Sequence, residues 1–255
     1  MFRRSESFQE FIRFYPIVSF LVGLHFFLWL TTDFLMLSPF VALENSAELN
    51  NYYVANGEYW RLVTPIFFHY GFGHALFNSF SLVLFGPALE QMLGKPKFIF
   101  AYLATGIIGN LGSFFFGPMN VVSVGASGAI FGLFGIYLYM IYARKELIDQ
   151  ANTQIILTIS VIALVMTFLR SNINIYGHIF GLVGGLVVAP LVLRNAQPFS
   201  QWRNVRRRRN HTDGDIAFDP NRWKKRRFPM KKYLPKLFWG ILILLVVFGL
   251  IQRVL

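Results

Sequence analysis

The chain has 255 residues, 55% of them hydrophobic, and its 24 Lys and Arg against 12 Asp and Glu give a net charge of +12. An ordinary soluble domain is about 45–50% apolar, so an excess gathered into long runs points to a membrane protein rather than a large soluble core. The absence of cysteine excludes disulfides, cysteine-based metal sites and a thiol nucleophile.

About 20 apolar helical residues cross a hydrocarbon core about 30 Å thick, and seven stretches qualify. The first, residues 16–37, follows Arg3, Arg4 and Arg13. It is longer than the ~7–15-residue apolar region of a signal peptide and no small-x-small cleavage site follows it, so it reads as an uncleaved span. Residues 38–72 then form a long loop rich in aromatic residues, suited to the membrane interface. The remaining spans are expected at 73–93, 98–116, 127–143, 153–169, 175–193 and 237–251. The basic stretch 195–236, with Arg206 to Arg209 and Lys224 to Arg227, separates the last span from the others. The expected architecture is an all-α polytopic membrane protein: a six-helix core over 1–194, a basic linker over 195–236, and an appended transmembrane helix over 237–255.

The cationic residues set the direction. With the N-terminus in the cytoplasm, only Arg61, Arg170 and Arg253 of the 24 Lys and Arg fall in outer segments. The opposite orientation violates the positive-inside rule almost everywhere. The C-terminus is then outside. The basic linker is expected to lie on the anionic inner leaflet, each cationic residue contributing about 1 kcal/mol near the surface. It is juxtamembrane and has no accompanying fold, which argues against nucleic-acid binding.

In this orientation the second, fourth and sixth spans all start at the outer face, and the unusual polar residues gather near those starts: His74 and Asn78, then Ser127, then His178. Ionisable and polar groups at membrane depth are costly and by default mark function. Ser127 lies in Gly125-Ala126-Ser127-Gly128, where small neighbours admit close approach, and a helix N-terminus offers unpaired N–H groups to an oxyanion. Taken alone, the motif also fits a small-residue helix contact. Gly177, Gly181 and Gly185 form an i, i+4, i+8 stripe beside His178. Packed on Gly128 and Gly132, it would set Ser127 against His178, which as a neutral imidazole can take the serine proton and return it to a leaving amine. A packing histidine bonded to a carbonyl is the alternative. His74 and Asn78, four apart, share a helix face and suit either an oxyanion site or interhelical hydrogen bonding. No acidic residue stands out as a third member, so a Ser–His dyad is expected, with His178 oriented by packing and Phe131, one turn after Ser127, placed to stack on the imidazole.

Together these segments resemble the rhomboid proteases. Gly125-Ala126-Ser127-Gly128 resembles the family's nucleophile motif. His178 with Gly181 and Gly185 resembles its sixth-helix motif, and His74-x-x-x-Asn78 its oxyanion pair. Trp60-Arg61 resembles the motif of the first outer loop, and Glu90-x-x-x-Gly94 a structural motif at the inner end of the second helix. The resemblance implies an intramembrane serine endopeptidase that needs no cofactor or metal and cuts a transmembrane protein in or next to its span near the outer face. A catalytically silent scaffold binding membrane clients is the alternative. The six-plus-one arrangement is similar to that of some family members, and a bacterial plasma membrane is the expected location.

Other polar residues have structural expectations. Arg61 would satisfy loop carbonyls, with Trp60 in the interface. Glu90 would cap loop N–H groups or pair with Lys95 or Lys97. His69 and His74 do not make a convincing metal site. His25 is read as a polar packing residue.

Overall fold

The computed structural model describes residues 6–170 and 173–200; the expected seventh span and all but the first six residues of the 195–236 linker lie outside the described residues. Helix α1 (Phe8–Phe14) begins at a capping box between Ser7 and Glu10. Helix α2 (Pro16–Trp29) starts on Pro16, whose missing N–H costs nothing in a first turn. It runs on through a π-helical turn, Leu30–Phe34.

The 38–72 loop is built rather than open. It holds α3 (Ser38–Ala47), the short strand β1 (Leu49–Asn50), α4 (Asn51–Ala55) and two 3-10 turns, Tyr59–Leu62 and Thr64–Phe67. Then come α5 (Phe72–Leu93), α6 (Lys95–Phe116), β2 (Val122–Ser123), α7 (Ser127–Ala143), α8 (Gln150–Leu169) and α9 (Ile175–Leu193).

Among the described residues, five helical segments are long and apolar enough to cross a membrane: Pro16–Phe34, Phe72–Leu93, Lys95–Phe116, Gln150–Leu169 and Ile175–Leu193. The expected span at 127–143 is helical over those residues, but its 17 residues make only about 25 Å of helix against a core of about 30 Å. It can be short because it is internal: Ala129 to Tyr137 are all buried. Two starts lie earlier than expected, because hydropathy does not register the polar residues that begin a helix. α6 opens at Lys95 with a proline in its first turn. α8 opens at Gln150, where the side chain of Asp149 accepts the Asn152 N–H at 2.9 Å.

Helices α6, α7 and α9 form the centre and meet backbone to backbone. A Cβ at Gly181 would collide with the Gly128 carbonyl, and one at Gly185 with that of Gly132. This is the pairing expected from the two glycine stripes. Gly177 differs: its own Cβ would first meet the Asn174 side chain, at 3.2 Å, while its carbonyl lies 2.6 Å from the position a Cβ would take at Gly109 of α6. α2 packs on α5, and Glu90 joins them, accepting the first-turn N–H groups of Ile17 at 3.0 Å and Val18 at 2.9 Å. A carboxylate at a helix N-terminus is favourable on both hydrogen-bond and dipole grounds. Among the described residues no ion pair joins Glu90 to Lys95 or Lys97; Lys97 instead donates to the Val192 carbonyl at 3.4 Å. α8 presents a single stripe to the bundle, its buried residues being Asn152, Ile156, Ser160 and Thr167.

Candidate active site

Ser127 is the first residue of α7, so the N–H groups of that first turn have no partner within the helix. The approach to it is fixed by the 38–72 loop. β1 and β2 pair antiparallel, Leu49 opposite Ser123 and Asn50 opposite Val122. The Gly125 N–H donates to the Pro65 carbonyl at 2.9 Å. The Ala126 N–H donates to His69 Nε2 at 3.2 Å. Gly125 has φ +132°, and a Cβ there would lie 2.7 Å from His74 Nε2 and 3.8 Å from Ser127 Oγ. Glycine is therefore required twice at this position, for backbone conformation and for space. The same geometry shows that the His74 imidazole and the Ser127 hydroxyl converge on one point.

His178 lies in the second turn of α9, whose start is capped by Asn174: its side chain accepts the Gly177 N–H at 3.0 Å and donates to Ser113 Oγ at 2.9 Å. The imidazole stacks on Phe131 at 4.2 Å between centroids, with an 18° interplanar angle. Phe131 is one turn beyond Ser127, so the stack holds the ring beside the start of α7. The sequence led to the expectation that packing orients His178; the structure adds a polar contact, its Nδ1 lying 2.8 Å from Thr167 Oγ1 on α8. Among the described residues no direct hydrogen bond joins Ser127 to His178; such contacts often tighten only with substrate bound.

Asn78 is buried on α5 and donates one amide hydrogen to the His74 carbonyl at 3.0 Å, leaving its second hydrogen available. His69 is an addition to the expected set. It is fully buried, with its ring 4.5 Å from His25 and 5.1 Å from His74. Burial, reinforced by the neighbouring His25 and His74, holds it well below the usual imidazole range. It is therefore neutral, as its role of accepting the Ala126 N–H requires. Only its position in the folded loop reveals this, since 57 residues separate it from its partner. His25 lies among Ser79 Oγ, Tyr102 OH and the His69 ring, in keeping with a polar packing residue.

Trp60 and Arg61 brace the loop. Trp60 is about half exposed and its indole N–H donates to the Ser46 carbonyl at 3.0 Å. The Arg61 guanidinium donates to the carbonyls of Asn45 at 2.9 Å and Glu48 at 3.0 Å, pairs with Glu58 at 2.7 Å, and lies over the Tyr53 ring. One fixed fork satisfies three acceptors.

A family model described as the rhomboid domain matches residues 56–195, a range that runs from the end of α4 through α9. YdcA of Bacillus subtilis (strain 168), a provisionally named rhomboid protease, is 49% identical over 197 residues, covering 77% of this chain and 98% of that protein. The rhomboid protease GluP of the same organism is 42% identical over 153 residues, 60% of this chain and 29% of GluP. RHOMBOID-like protein 6 of Arabidopsis thaliana, a mitochondrial protein, is 31% identical over 154 residues, 60% of this chain and 49% of its own length.

Proposed function

The chain belongs to the rhomboid family and is a multi-pass membrane protein, and we propose that it is an intramembrane serine endopeptidase whose nucleophile is Ser127 and whose general base is His178. The observation that carries this reading is the stack of His178 on Phe131, one turn from a serine that opens a central helix. The names of its relatives, rhomboid protease GluP among them, support the same activity.

In this mechanism His178 Nε2 takes the Ser127 proton as Oγ attacks the scissile carbonyl. The oxyanion meets the free N–H groups at the start of α7, the His74 imidazole and the second amide hydrogen of Asn78. Losing one such donor typically costs roughly 10²–10³ in kcat. The proton on Nε2 then passes to the leaving amine, and water, activated by the same nitrogen, hydrolyses the acyl-enzyme. Gly125, Gly128, Gly181 and Gly185 bring the backbones close enough for this, while Trp60, Arg61 and Glu90 hold the surrounding elements. The substrate is a transmembrane protein cut in or beside its span at the end of the bundle that carries Ser127. With a cytoplasmic N-terminus this end faces outward from a bacterial plasma membrane, and the basic linker rests on anionic lipid without engaging nucleic acid.

The test is cleavage of single-span substrates by the purified protein in liposomes, beside Ser127→Ala and His178→Ala. The proposal expects cleavage by the wild type alone. Equal cleavage by a variant that still folds, or none by the wild type on several substrates, would reject it, and the latter would favour a client-binding scaffold.

A further inference from the structure

The hydroxyl of Thr167 has a contact that the mechanism above leaves unused. Oγ1 lies 2.8 Å from His178 Nδ1 and 2.9 Å from the Ala163 carbonyl, and Thr167 is almost fully buried, at 1% exposure. A threonine hydroxyl has one proton and two lone pairs. A carbonyl can only accept, so the proton goes to Ala163, the i−4 back-bond that helical threonines commonly make. Oγ1 therefore accepts at the imidazole, and Nδ1 carries the ring hydrogen. In a neutral imidazole that leaves the lone pair on Nε2. Hydrogen-bond counting thus assigns the tautomer, and it is the one a base acting through Nε2 needs.

We infer that Thr167 is the positioning residue for His178: by accepting the Nδ1 hydrogen it fixes both the tautomer and the ring orientation, filling with a hydroxyl the place a carboxylate holds in a three-membered serine protease site. The inference rests on the reading of His178 as base. Through the reaction the Nδ1 hydrogen stays in place. The Ser127 proton moves to Nε2 as the O–C bond forms, and moves on to the amine nitrogen as the C–N bond breaks. Between those steps the ring is an imidazolium, and its Nδ1–H bond to Thr167 becomes charge-assisted and stronger. Thr167 touches neither substrate nor the reacting atoms. It acts from α8, whereas Phe131 acts from α7, so two different helices restrain the same ring. Of the two, only the hydroxyl distinguishes one ring nitrogen from the other.

The experiment uses the full chain in liposomes and compares the wild type, Thr167→Val, Thr167→Ser and Ser127→Ala on one single-span substrate, with ¹⁵N NMR of the histidines in the Ser127→Ala background. Valine keeps the shape and removes the acceptor. The expected result is a fall in kcat of about 10- to 100-fold, the worth of one hydrogen bond to a charged group, with KM little changed. Serine should restore most of the rate. The ¹⁵N spectrum should place the His178 hydrogen on Nδ1 when Thr167 is present and lose that preference in the valine variant. Wild-type kcat in a folded Thr167→Val, or a His178 hydrogen found on Nε2 with Thr167 in place, overturns the inference. If Thr167→Val does not fold, the serine variant and the tautomer of the otherwise native chain decide it. Cleavage undiminished by Ser127→Ala would instead overturn the protease reading, and the tautomer measurement would still report on the contact.

Discussion

The packing of α6 against α9 offers a graded test of how tightly the site is held. The Gly177 carbonyl, one residue before His178, lies 2.6 Å from a Cβ built on Gly109 and 3.3 Å from one built on Gly128. Carbon contacts become comfortable at about 3.5 Å. Gly109→Ala therefore forces the start of α9 away by about 0.9 Å, and because the obstacle is backbone no rotamer change relieves it. Overpacking of this kind costs about 1–3 kcal/mol, and a misplacement of about 1 Å can cost a reaction roughly 100-fold. The expected outcome is a lower Tm in detergent and a fall in liposome cleavage of about 10- to 100-fold, mostly in kcat. One control fixes the interpretation. Gly23→Ala meets nothing within 4 Å. It should stay within a few-fold of the wild type. A Gly109→Ala protein that cuts at the wild-type rate with an unchanged Tm would refute the idea that this backbone contact sets the position of His178.

Three further outcomes test the supports of the site. His69→Phe removes the acceptor of the buried Ala126 N–H and should cost about 1–3 kcal/mol in thermal unfolding and slow cleavage; His69→Gln, which keeps an acceptor, should lose less. Glu90→Ala leaves the Ile17 and Val18 N–H groups without their partner and should lower the Tm, while Glu90→Gln, which still offers one oxygen, falls between; equal Tm values for all three would remove Glu90 as the cap of α2. Burial of Glu44, with Asp33 and Glu48 adding to it against the Thr32 hydroxyl, raises its carboxyl to about 7. The folded loop then binds more protons than the unfolded chain, so its stability is fullest below about pH 4.5 and declines as pH rises through about 7. Limited proteolysis of the 38–72 loop across that window should show protection falling with rising pH in the wild type and a flatter profile in Glu44→Gln.

The centre of the fold was the most legible part of the sequence, because the glycines at 128, 132, 181 and 185 could be matched by spacing alone and the helices meet at those positions. The length of α7 was less legible: an apolar run of 17 residues reads as a span, yet its burial by α6 and α9 relieves it of the need to match the bilayer. Glu90 was legible as a capping carboxylate but not as the cap of α2, since nothing in the local sequence indicates that residues 17 and 18 lie beside residue 90. His69 and Thr167 were hidden for a related reason. Each makes its key bond to a residue on another element, and each resembles an ordinary neighbour in sequence, a histidine in an interfacial loop and a threonine in an apolar helix.

These hidden residues share a physical logic with the visible ones. An α7 that starts inside the bundle leaves unpaired N–H groups in an apolar setting, a cost unless each is used or satisfied. The Ala126 N–H, just before the helix, is satisfied by His69, and Gly125 by the Pro65 carbonyl. Those two bonds tie the 38–72 loop to the segment that precedes Ser127, so the N–H groups left over belong to the first turn of α7 itself, where the proposed mechanism uses them. The Arg61 fork and the Trp60 indole then hold the α3 end of the loop through the carbonyls of Asn45, Ser46 and Glu48. The loop therefore acts as the wall that decides which donors of α7 remain free, and loosening it should release the site before it unfolds the bundle.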